Sequence, residues 1–109
     1  MKFHLDFETR SAVDLKKVGA FAYAMHPSTQ VVCFTYGPSR DRLQSFCARD
    51  LGWDWSKLQI PHIADDYVIA HTASFEYAIY NLIMHRRHGW PARWAPSLWG
   101  CTLSRAAMC

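Results

Sequence analysis

The chain reads as one small α/β domain, a mixed sheet flanked by helices. Three observations predict this. Residues 1–9 alternate, with Phe3, Leu5 and Phe7 set between His4, Asp6 and Glu8, which is the period of a half-buried strand. Residues 66–71, Asp-Tyr-Val-Ile-Ala-His, form the short apolar run of a buried strand. Directly after it, Phe75, Ala78, Ile79, Leu82 and Ile83 recur at helical spacing. A strand that runs straight into a helix fits parallel pairing beside the first strand.

The remaining elements follow in order. Residues 14–19 look like a loop, and Ala20–Met25 like a short helical turn ended by His26-Pro27. Gln30–Gly37 is β-branched and aromatic, hence a strand. Gly37-Pro38-Ser39-Arg40 has turn chemistry, and the alternation over 42–47 suggests the returning strand of a hairpin. Residues 48–61 carry weak patterning, read as loop with a short helix. Ser74 is the expected N-cap of the helix after 66–71, which places Glu76 in its first turn. Gly89-Trp90-Pro91 stops that helix. Residues 90–100 look irregular, and 102–109 resembles the start of another helix capped by Thr102.

At 109 residues there is room for a single domain. A hydrophobic content of 50%, with five Trp, five Tyr and six Phe, suits a packed core and argues against disorder. No apolar stretch is long enough to cross a bilayer, and the N-terminus lacks the pattern of a secretion signal. A cytoplasmic protein without membrane attachment is the expectation. Cys33, Cys47, Cys101 and Cys109 form no C-x-x-C and no zinc-type spacing with histidine, so buried or incidental thiols are expected. His85 and His88 share a helix face but lack an acidic or thiol partner, so no zinc role is expected.

Two clusters carry candidate chemistry. Asp6 and Glu8 project from the same strand face about 7 Å apart. Acids are depleted in strands, and Mg²⁺, which prefers carboxylate and water oxygens, accounts for two together. A solvated edge-strand face accounts for them as well. If the 66–71 strand lies beside the first, Glu76 approaches both acids; taken alone, it also complements the helix dipole. The second cluster is basic. The net charge is +3, yet no Asp or Glu follows Glu76, while Arg86, Arg87, Arg93 and Arg105 are interleaved with Trp90, Trp94 and Trp99. Arginine among aromatics suits phosphates and stacked bases. A solvated helix end with core tryptophans is the plainer alternative.

Taken together, Asp6-Phe7-Glu8-Thr9, the run Val68 to Glu76, Trp99-Gly100-Cys101-Thr102 and the segment Asp14 to Pro27 carry a resemblance that covers essentially the whole chain. It resembles the N-terminal part of the DEDD 3′–5′ exonuclease superfamily, especially the proofreading domains of bacteriophage A-type DNA polymerases. The resemblance implies an RNase H-like mixed sheet flanked by helices, C-terminally truncated before the family's third motif. It implies Mg²⁺ or Mn²⁺ held by Asp6, Glu8 and Glu76, with Asp6 bridging two ions. Thr9 and Phe75 would border the terminal nucleotide, as would Thr72, which stands where the family usually has Asn. Arg86, Arg87 and Arg93 would add nucleic-acid contacts. The family's final Asp and general base have no counterpart in residues 1–109. The function implied is a truncated exonuclease-like domain, weak or inactive alone, that binds a single-stranded DNA 3′ end or a protein. The alternatives are an active exonuclease completed by a partner or homodimer, and a phage-derived inhibitor of a host defence protein in the bacterial cytoplasm. Loss of covering helices would expose an apolar face suited to such a partner.

Overall fold

β1 (Lys2–Arg10) runs through the middle of the sheet because its apolar residues suit burial on one face only: Leu5 and Phe7 are buried, while Asp6 and Glu8 remain exposed. In this computed structural model residues 2–39, 41–60, 63 and 66–101 are described. β2 (Gln30–Gly37) pairs antiparallel with β1, placing Tyr36 beside Leu5 and Phe34 beside Phe7. β3 (Gln44–Cys47) pairs antiparallel with β2. On the other side β4 (Tyr67–Ala70) runs parallel to β1, with Val68 beside Phe3, and β5 (Trp99–Cys101) runs parallel to β4. The result is a five-stranded mixed sheet in the order β3-β2-β1-β4-β5. The parallel pairing expected for the 66–71 run is present.

Helices pack on the face that carries Leu5, Phe7, Val31 and Phe34. Asp14 caps α1 (Leu15–Val18) by accepting from the Lys16 amide at 3.0 Å, so a one-turn helix stands where a loop was expected. α2 (Ala20–Met25) follows after Gly19, whose φ of +84° suits a residue without Cβ. α3 (Ala73–Ile79) starts at Thr72, two residues before the expected cap Ser74, and no side chain caps it. The helix runs on as a π-helical segment, Tyr80–His85, then α4 (Arg86–His88), and ends at Gly89 with φ +76°. Asn81 lies in the widened segment, and its side chain donates to the Tyr77 carbonyl at 3.0 Å and the Arg93 carbonyl at 3.1 Å. Short 3₁₀ turns occupy Ala48–Leu51 and Trp55–Lys57, in the stretch expected to be loop with a short helix. Phe34 stacks on Phe7 at 5.1 Å and meets Trp55 and Trp90 edge-on, which centres the core on β1 and β2.

Two further expectations change. Residues 90–100 are not irregular throughout, because β5 begins at Trp99. A three-residue strand leaves no periodicity to read, and it is held by pairing with β4 and by the full burial of Trp99. The exposed large apolar side chains sit mainly at Leu15, Val18, Phe21 and Met25 of α1 and α2. The face of the sheet turned away from the helices carries instead His4, Asp6, Glu8, Thr35 and Ser45, all exposed or half-buried. The expected helix at 102–109, with Arg105, lies outside the described residues. Among the described residues no helix is long and apolar enough to cross a membrane.

Candidate carboxylate site

The site forms where β4 stops. β4 pairs with β1 only as far as Ile69 opposite His4, after which the chain turns into α3. β1 continues beyond that point, so its next inward amide has no strand partner. Glu76, in the first turn of α3, fills the gap: its Oε2 accepts from the Phe7 amide at 3.1 Å. Residues almost seventy positions apart are thus joined by one buried bond.

The Glu76 side chain also meets Asp6, with which it shares a side-chain hydrogen bond. Glu76 is only 3% exposed. Burial first, and then the neighbouring Asp6 charge, push its carboxyl up to about 9, against the pull of the Phe7 amide. Glu76 therefore holds a proton at neutral pH and donates to Asp6. Asp6 is raised more modestly, by its own partial burial and by Glu8; the bond from Glu76 and the nearby His71 oppose this. The two carboxyls titrate as a pair and share a proton.

Glu8 shares the strand face but not the cluster. Among the described residues no three His, Cys, Asp or Glu side chains converge closely enough to hold a metal ion. The donor set fits a hard divalent cation as two carboxylates, Asp6 and Glu76. The three-carboxylate set implied by the resemblance is not assembled.

Around the pair the structure groups some of the expected residues and separates others. Thr9 Oγ1 lies 2.8 Å from the Tyr23 hydroxyl, and the Tyr23 ring lies 6.1 Å from that of Phe75, so Tyr23 ties both candidates into one wall. The Thr72 carbonyl accepts from the amides of Phe75 and Glu76 at 3.0 and 3.2 Å, so its contribution to the site is through the backbone. On the open face His4, Asp6, Thr35, Ile69 and His71 line a shallow depression. His71 and Tyr23 were not singled out from the sequence. The only signal for either was position, His71 at the end of the apolar run and Tyr23 within the helical turn.

The arginines do not form a common surface. Arg93, expected to touch nucleic acid, is fully buried; its guanidinium donates to the carbonyls of Ile63, Asp66 and Leu98 and lies 5.2 Å over the Trp99 ring. Arg87 donates to the carbonyls of Thr29 at 2.6 Å, His26 at 2.9 Å and Ala24 at 3.4 Å, closing the C-terminal end of α2. Arg86 is exposed, with its guanidinium 5.8 Å from the Trp94 ring. Among the described residues, Arg86 and Arg87 are both exposed, but Arg87 spends its guanidinium on the carbonyls at the end of α2, which leaves Arg86 with Trp94 on the open surface. Comparison with family models, with curated proteins and with solved structures returns no match.

Proposed function

We propose that the chain is a 3′–5′ exonuclease-like domain of RNase H type that takes up Mg²⁺ or Mn²⁺ at Asp6 and Glu76 and engages the 3′ end of single-stranded DNA, binding it in preference to cleaving it. The observation that carries the reading is the meeting of Glu76 with Asp6 where β1 outruns β4. The mixed sheet, with β1 and β4 parallel at its centre, agrees with the fold the resemblance implies. A bound divalent ion supplies positive charge to phosphate oxygens. Asp6 and Glu76 hold the ion, while Thr9 and Phe75, braced by Tyr23, border the terminal nucleotide. Binding outranks cleavage because Glu8 stands apart from the pair and, among the described residues, no third carboxylate joins it.

The test is a Mn²⁺ titration by calorimetry in buffers of differing ionisation enthalpy. The Glu76 proton must leave for both carboxylates to coordinate. Binding should therefore release about one proton per ion at pH 7, and affinity should rise about tenfold per pH unit from 6 to 8. Mn²⁺ should also strengthen retention of a 3′-labelled oligonucleotide, and Asp6→Asn should abolish both effects. Mn²⁺ binding that is absent at millimolar concentration, or unaltered in Asp6→Asn, overturns the reading.

A further inference from the structure

We infer that Cys33 and Cys47 form a reversible dithiol–disulfide switch that clamps the edge strand β3 to β2 when the protein meets a two-electron oxidant of the peroxide class. The two residues are direct cross-strand partners in the antiparallel β2–β3 register. Directly opposed antiparallel residues have Cα atoms about 4.5–5.5 Å apart, inside the span a disulfide bridges. Both side chains project from the same face, and their sulfurs already lie 3.4 Å apart. A disulfide needs about 2.05 Å, a closure within reach of small χ adjustments and without backbone movement. Both cysteines are free thiols and half-buried, so a small oxidant reaches them while bulk protein thiols do not.

Cys33 faces Glu8 on one side and Cys47 on the other. The hydrogen bond with Cys47, then burial, raise the Cys33 thiol above its ordinary value, and either sulfur can donate in that bond. One sulfur of the pair, as thiolate, displaces hydroxide from hydrogen peroxide and becomes a sulfenic acid. The other then attacks that sulfur, the S–O bond breaks, and water leaves with the attacking thiol's proton. Two thiols are oxidised by two electrons and one peroxide is reduced. The inference is independent of the metal site, since neither sulfur takes part in it.

The experiment uses the full chain, reduced, freed of reductant and exposed to stoichiometric hydrogen peroxide, then mapped with trypsin. The expected product links the peptide 18–40, which holds Cys33, to the peptide 43–49, which holds Cys47, with loss of two hydrogens and full reversal by dithiothreitol. The oxidised protein should unfold several degrees higher, because the bridge closes a loop of about 15 residues in the unfolded chain. Cys33→Ser and Cys47→Ser should each abolish the linked product and leave the remaining cysteine of the pair as a dimedone-reactive sulfenic acid. Over-oxidation of single thiols in the unsubstituted chain, or linkage of either peptide chiefly to another cysteine, overturns the switch.

Discussion

Glu76→Gln should stabilise the protein at pH 8 by roughly 2–5 kcal/mol while leaving it unchanged near pH 4. The ordinary value for this carboxyl is 4.5, and the fold raises it to about 9. Between those limits the folded state binds a proton that the unfolded state has released. Stability is therefore fully present below the unfolded value and falls as pH rises towards the folded one, by about 1.4 kcal/mol per unit at most. Because Asp6 shares the proton, the lower part of that range is included. Glutamine keeps the geometry: its carbonyl accepts from the Phe7 amide and its NH₂ donates to Asp6. It removes only the ionisation of the unfolded state at position 76. Urea unfolding at pH 4 and pH 8 checks this, and parallel pH profiles for the two proteins would refute the buried, protonated Glu76. The same substitution should weaken Mn²⁺ uptake, because a neutral amide replaces a carboxylate. Higher stability with poorer metal binding is the signature of a residue kept for a site rather than for the fold.

Arg93→Ala should cost about 3–5 kcal/mol, and Arg93→Lys should recover little of it. The guanidinium lies wholly inside the protein and satisfies the carbonyls of Ile63, Asp66 and Leu98 from three directions. An ammonium on a flexible stem lacks the planar fork that reaches all three. Alanine leaves those carbonyls without that donor and opens a cavity beneath Trp99. Unfolding midpoints measure the loss directly. The alternative, a phosphate-contacting Arg93, predicts the reverse: unchanged stability with a shallower salt dependence of oligonucleotide binding. Arg86→Ala is the matching control, since an exposed guanidinium beside Trp94 should move stability by less than about 0.5 kcal/mol.

Arg86, Arg87 and Arg93 show how the same residue type parts company in three dimensions. In sequence they are basic residues among tryptophans, and their composition suits a nucleic-acid surface. Their fates depend on which backbone carbonyls lie within reach. Arg87 reaches the end of α2 across about 60 residues of chain, and Arg93 reaches the loop before β4 and the turn before β5. No local pattern encodes such partners. The cysteines behave alike: Cys33 and Cys47 have no motif spacing, and only the hairpin register sets them opposite one another.

β1, β2, α2 and the β4–α3 unit were legible because each carries a period, a composition or a breaker that acts over neighbouring residues. Phe3, Leu5 and Phe7 dictate a strand with one wet face wherever that strand is placed, and Gly89 ends a helix whatever packs on it. α1 and β5 were not legible, since four and three residues are too few to show a period. The acids at positions 6, 8 and 76 were visible as candidates for the same reason, an anomaly against local preference. Tertiary structure alone decided which of them meet. β4 pairs with β1 only as far as Ile69 opposite His4, the Phe7 amide beyond it is taken by Glu76, and this brings Glu76 onto Asp6 while Glu8, further along the strand, stays in solvent.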